Sequence, residues 1–173
     1  RLILSASGWR TVFAPSGNEE DNDSSISSAH YIIAATAGLV FSDYIKTKSG
    51  KKNPVLLVGQ DSRPTGTAIA DTIIKILLAT GCEVRYAFII SAPEIMAYSR
   101  QAELIDGFVY ISASHNPIGH NGIKFGLNDG GVLPASEAKL LIEAFQAAIR
   151  RKEHLSLLQN QLRSITSRQV AQV

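Results

Sequence analysis

Phe108-Val-Tyr-Ile-Ser-Ala-Ser-His-Asn-Pro-Ile-Gly-His-Asn-Gly-Ile-Lys-Phe125 decides the fold of this chain. Its first four residues form an apolar run and predict a buried strand. The chain then turns through small and polar residues, with Asn116-Pro117 and Asn121-Gly122 as turn formers. Ser114 stands where strand gives way to loop. A hydroxyl there sits at the carboxyl end of a strand, the edge at which open α/β sheets bind ligands.

The neighbouring segments alternate in period. Upstream, Asp106–Ser112 completes the strand, and Pro93–Glu103 predicts a short helix with proline at its start. Glu83–Phe88 and Val55–Val58 predict strands. Between them Thr67–Thr80 predicts a helix, with Ala68, Ile69, Thr72, Ile73, Ile76 and Leu77 on one face and Gly81 as its stop. Further upstream, Ile26, Ala29, Ile33, Ala37, Val40, Phe41 and Tyr44 recur at three and four and predict a helix from Ile26 to about Lys48. Residues 18–25 precede it as a polar, acidic linker ending in good N-caps. Downstream, Gly122–Gly126 predicts a strand, Leu127–Gly131 a turn, and Pro134 to about Lys152 a helix. Strand–helix–strand–helix–strand, then a hairpin and a closing helix, specify a three-layer α/β/α domain with a mixed, mostly parallel sheet over residues 1–152. Residues 153–173, rich in Gln, Ser and Arg, read as a connector or tail towards a missing second domain.

Composition narrows the class. The 173 residues suit one domain, 45% of them hydrophobic. Only 18% are charged, against about 25% in an average protein. Either part of the surface faces other protein, or the domain is simply well buried. A net charge of +2 lacks the basic excess of a nucleic-acid binder. The single cysteine, Cys82, allows no internal disulfide, reads as a small buried apolar residue and fits a reducing compartment. No stretch reaches the roughly eighteen apolar residues of a membrane span. With no signal-peptide pattern at Arg1, a cytoplasmic protein is expected. The absence of an initiator Met fits a chain that begins inside a longer gene product or has lost a few leading residues.

Ser114 is the candidate nucleophile. A serine hydroxyl is weak without help, yet it can carry a phosphoryl group where the site stabilises charge. A phosphoserine adds roughly −1.5 to −2 charge, so its loop should lack carboxylates and offer donors. Residues 107–128 contain no Asp or Glu, and hold His115, Asn116, His120, Asn121 and Lys124. A serine in such a loop can equally well cap a turn. No Gly-x-Ser-x-Gly elbow points to a hydrolase.

Ser112-Ala-Ser-His-Asn-Pro117, three further residues, then Asn121-Gly122 and Lys124 resemble the active-site serine loop of the α-D-phosphohexomutases, with Ser112 for their usual Thr. Ser5-Ala-Ser-Gly-Trp-Arg10 resembles the family's Gly-Thr-Ser-Gly-x-Arg segment, with Ser5-Ala6 for Gly-Thr and Thr11 where Gly is common. Gly59-Gln-Asp-Ser-Arg-Pro-Thr-Gly66 resembles its Gly-Arg-Asp-Thr-Arg-x-Ser-Gly loop, with Gln60 for an Arg. Ser91-Ala-Pro93 resembles its Pro-Thr-Pro turn.

The resemblance implies that Ser114 is phosphorylated and that its phosphate oxygen is one Mg²⁺ ligand. It implies that Arg10 and Lys124 contact the transferring phosphate or a sugar hydroxyl, with Lys124 assisting proton transfer. His115 would order the loop and contact the phosphate, or act only as a structural hydrogen bonder; Asn116 would bind substrate. Arg10 as a surface ion pair and Lys124 as a solvated strand residue are the plain alternatives. Asp61 and Arg63 are expected to bond each other and the loop backbone, His120 to be exposed, and Trp9 to pack.

The family's other Mg²⁺ ligands come from an Asp-Gly-Asp-x-Asp-Arg loop in a second domain, which this sequence lacks. The chain thus resembles the first of four domains and is expected to be inactive alone. The implied activity is a glucose or mannose phosphate mutase, an isomerase working through a hexose 1,6-bisphosphate that also acts as activator. Its partners would be a hexose phosphate and the remaining domains of the parent chain, with no nucleic acid and no membrane. The alternatives are a phosphoglucosamine mutase, or a non-catalytic domain that binds a phosphosugar or a partner.

Overall fold

The computed structural model describes residues 1–173. Its strands are β1 (Ile3–Ser5), β2 (Gly8–Val12), β3 (Val55–Gln60), β4 (Glu83–Ile89), β5 (Gly107–Ile111) and β6 (His120–Leu127). Its helices are α1 (Ser28–Ser49), α2 (Gly66–Ala79), α3 (Ala92–Gln101), α4 (Ala135–Ile149), α5 (His154–Ser164) and α6 (Ser167–Val170). The strands form one sheet in the order β1-β2-β6-β5-β3-β4. β3 pairs parallel with β4 and β5, whereas β5–β6, β6–β2 and β2–β1 are antiparallel. Four strands, β2 to β5, therefore run one way and β1 and β6 the other, which is the mixed sheet expected.

Crossover handedness sets the layers. The path steps from β3 out to β4 through α2, then back past β3 to β5 through α3. Right-handed connections in opposite directions put these helices on opposite faces. Alternation along each strand then divides the core. Trp9, Leu56, Val58, Val109, Ile111, Ile123 and Phe125 pack with Phe41, Ile73, Leu141 and Phe145 of α1, α2 and α4. Leu57, Phe108 and Tyr110 face Ile95 of α3 and Ile105. No helix is long and apolar enough to cross a membrane.

Three segments differ from the sequence reading. Helix α1 starts at Ser28 because Ser27 caps it, its Oγ accepting from the His30 N–H, while Ile26 lies buried just ahead. Gly50, with φ +68°, ends it by returning its N–H to Lys46 O. The N-terminal segment is a hairpin, Leu4 facing Trp9 and Ser5 facing Gly8 across a two-residue turn. Within residues 153–173, read as a connector or tail, His154–Ser164 form α5. Its Leu158 is buried against Ala35 of α1 and Ile76 of α2, and buried His154 meets Thr36 Oγ1 at 2.7 Å through Nε2.

Candidate active site

Ser114 opens the loop after β5 with φ +55°, a left-handed conformation rare for a residue with a side chain. Such a conformation costs roughly 1–3 kcal/mol and persists only where the surroundings hold it. Here Ser112 Oγ accepts the Ser114 N–H at 3.1 Å, and Asn116 Nδ2 donates to Ala113 O at 2.6 Å. The Arg63 guanidinium donates to the carbonyls of Ser114 (2.8 Å), Asn116 (2.5 Å), His120 (3.0 Å) and Pro117. Asp61 steadies Arg63 from behind, Oδ2 lying 3.3 Å from Nε and Oδ1 accepting the Arg63 N–H at 3.0 Å. Asp61 and Arg63 thus bond each other and the loop backbone, as expected.

The antiparallel register delivers the cations. Lys124 of β6 lies opposite Tyr110 of β5, so both project from the face that α3 leaves partly uncovered. Lys124 Nζ passes 5.8 Å from the centre of the Tyr110 ring and donates to Ser114 Oγ at 3.1 Å. Arg10 of β2 lies opposite Gly122, on the same face. Gly122 has to be small, because a Cβ there would stand 2.8 Å from Arg10 Cγ and 2.8 Å from Ser112 O. At Gly8, φ +131°, a Cβ would meet Lys124 Cγ at 3.0 Å.

The substitutions in the first segment leave Arg10 in place. Ser5 Oγ donates to Gly8 O at 2.8 Å across the hairpin turn, and Ser7 Oγ accepts from Arg10 Nη2 at 3.3 Å. Arg10 forms no salt bridge within the chain, so the ion-pair alternative is not realised. Burial, and next the charge of Arg10, hold the Lys124 ammonium below its ordinary pKa, with Asp61 opposing. Two close cations with no carboxylate of their own make a place for an anion.

The remaining candidates divide. His115 is exposed at the loop tip and makes no hydrogen bond within the chain, so it is not a structural hydrogen bonder here. Asn116, expected to bind substrate, turns its amide nitrogen inward to close the loop. His120, expected to be exposed, is half-buried, with Nε2 3.2 Å from Glu19 Oε2. The cause is the acidic segment 18–25, which folds over the loop: Gly119 N–H donates to Glu19 O at 2.7 Å. Trp9 is buried edge-on against Phe125, ring centres 4.9 Å apart. The loop's own sequence is free of acids, but Asp61 and Glu19 reach it from elsewhere, each paired with a cation or histidine.

Mg²⁺ demands several hard oxygen ligands. No group of three or more His, Cys, Asp or Glu side chains lies in position to hold a metal. Around Ser114 the neighbours are mostly cationic, and Asp61 is already bonded to Arg63. These residues by themselves do not fit Mg²⁺.

Fold and site define a three-layer α/β/α domain that presents a serine at a strand end, hydrogen-bonded to a lysine and near an unpaired arginine. The profile of the family described as phosphoglucomutase/phosphomannomutase, alpha/beta/alpha domain I, matches residues 24–152. The chain belongs to that family. It is 36% identical over 114 residues to a phosphoglucosamine mutase of Macrococcus caseolyticus, covering 64% of this chain and 25% of that protein. It is 42% identical over 90 residues to a phosphoglucosamine mutase of Solibacter usitatus, covering 52% of this chain and 20% of that protein. The chain thus spans no more than about a quarter of the length of these curated relatives. Among solved structures, a phosphoglucomutase/phosphomannomutase family protein of Burkholderia thailandensis superposes with a TM-score of 0.64 at 19% identity, over 85% of this chain and 30% of that one. Parafusin, a phosphoglucomutase of Paramecium, superposes with a TM-score of 0.58 at 21% identity, over 84% of this chain and 28% of that one.

Proposed function

We propose that these residues carry the phosphoserine of a hexose phosphate mutase, an intramolecular phosphotransferase of the isomerase class. The observation that carries the reading is the Lys124 Nζ to Ser114 Oγ hydrogen bond of 3.1 Å, with Arg10 unpaired on the same face. In the forward half-reaction a hydroxyl of a hexose 1- or 6-phosphate attacks the phosphorus on Ser114. The new O–P bond forms as the Oγ–P bond breaks. Lys124 gives a proton to Ser114 Oγ as the Oγ–P bond breaks and regains one from the attacking sugar hydroxyl, so the ammonium is restored at the end of the step. The bisphosphate then reorients and returns its other phosphoryl group to Ser114, reversing these transfers. Arg10 and exposed His115 face the phosphate, and positive charge already in place stabilises the transferring group. Mg²⁺ would require ligands beyond those described.

Two sugars compete. The Ser7-Gly-Trp-Arg10 wording favours glucose or mannose phosphates, while the names of the curated relatives favour glucosamine phosphate. Other domains of the parent polypeptide would supply sugar selection, and a cytoplasmic location goes with a phosphorylated sugar as substrate. Ser114→Ala in the full-length natural polypeptide should abolish turnover of all three hexose phosphates, assayed side by side, and phosphopeptide mapping of the unaltered protein should find phosphate on Ser114. Near-normal turnover in that variant would sink the reading. A natural polypeptide with bare Ser114 and no turnover would favour a phosphosugar-binding domain instead.

A further inference from the structure

Arg63 lies 51 residues before Ser114 in the chain, yet it holds the serine loop together. Four of its N–H groups point at carbonyl oxygens within residues 114–120, and Nε faces Asp61. Its side chain is only 9% exposed, and a guanidinium has five N–H groups in all. None is left over for a substrate phosphate. The carbonyls it gathers are those of Ser114, Asn116, Pro117 and His120, the turn that carries the candidate nucleophile. Carbonyl oxygens are the wrong company for a phosphoryl group, since both are electron-rich. The guanidinium engages four of them, and Asp61 offsets its charge from behind.

We infer that Arg63 is the positioning residue of this loop: its fork of carbonyl contacts keeps Ser114 in the left-handed conformation that leaves Oγ beside Lys124 Nζ, without touching substrate. The inference rests on the mutase reading above. It requires the planar fork, because a lysine offers three donors from one point and cannot span four carbonyls. Hydrophobic packing at Arg63 would tolerate lysine; the fork would not.

The test uses Arg63→Lys and Arg63→Ala in the full-length natural polypeptide. Both should lower kcat by at least about tenfold while KM for the hexose monophosphate stays within about threefold. Dilute guanidinium ion should restore part of the kcat of Arg63→Ala. Amide exchange over residues 112–120 should quicken while α2 and α4 keep their protection. Normal kcat in Arg63→Lys, or exchange quickened equally throughout the domain, would overturn the inference. An unaltered protein that turns over no hexose phosphate would overturn the mutase reading beneath it. Turnover lost in Ser114→Ala but untouched in Arg63→Lys would overturn this inference alone.

Discussion

Ile123, Lys124 and Phe125 are consecutive residues of β6, and they belong to different parts of the molecule. Ile123 and Phe125 are buried under α1 and α4, in a core that runs through Trp9, Phe41 and Phe145. Lys124 points to the other side, where α3 covers only the β3–β5 end of the sheet and where Arg10 and Ser114 also lie. The strand period of two makes this division possible. One face is filled with aliphatic and aromatic side chains and confers stability. The other is left partly open, and Arg10 and Lys124 stand there without a salt-bridge partner. The difference teaches that stability and chemistry can be altered separately here, one residue apart.

Substitutions on the two faces should therefore have different signatures. The largest effect is expected from Phe125→Ala, which removes a buried ring packed on Trp9 and Phe41 and should cost about 3–5 kcal/mol in denaturant unfolding. The phosphorylation proposed for Ser114 should survive in whatever fraction remains folded. Next comes Lys124→Met, which should lower kcat about 10²–10³-fold in steady-state assays of the full-length protein, with little change in the unfolding midpoint. If Lys124→Met unfolded the domain, or Phe125→Ala left stability intact while stopping turnover, the division between the faces would fail.

Smaller effects appear in pH profiles. In the proposed mechanism Lys124 is the proton donor to Ser114 Oγ, so activity should be lost as pH rises through its pKa, which lies below the ordinary 10.5. Arg10 is the second cause of that depression after burial. Arg10→Gln should therefore move the alkaline limb of the kcat profile to higher pH, even as overall turnover falls. A limb that stays put or moves down would remove Lys124 from the donor role.

The smallest effect lies far from the site. Burial, then the charge of Arg151, holds His154 below its ordinary pKa of 6.5. The unfolded chain binds that proton more readily, so the stability His154 confers is fully present above about pH 6.5 and lost as pH falls through its lower folded value. His154→Gln, able to keep the hydrogen bond to Thr36, should flatten this acid slope of the melting temperature. An unchanged slope would show that α5 does not depend on the neutral imidazole.

Much of this was legible beforehand. The apolar run Phe108–Ile111, the helical spacing of α2 and α4, and the place of Ser114 after a strand follow from side-chain periodicity and turn chemistry, which are local. The hairpin of β1 and β2 was not, because three and five residues with alternating Ser, Gly and Arg carry too weak a pattern. Helix α5 carries a signal in its sequence: His154, Leu158 and Leu162 recur every four residues, and all three pack inward. Its exposed Leu155 and Leu157 blurred that stripe. The acidic segment looked like a solvated linker, since nothing local shows that Glu19 meets His120, 101 residues away.

By itself the sequence determined the layer order, the strand that leads into the Ser114 loop and the residue types assembled there, because alternation, helical spacing and turn residues act over a few neighbours. Tertiary structure alone decided that Arg10 and Lys124 share a face and that Arg63 gathers the serine loop. Those outcomes depend on strand register and on hydrogen bonds between segments about fifty residues apart and more, whose geometry exists only once the sheet has closed.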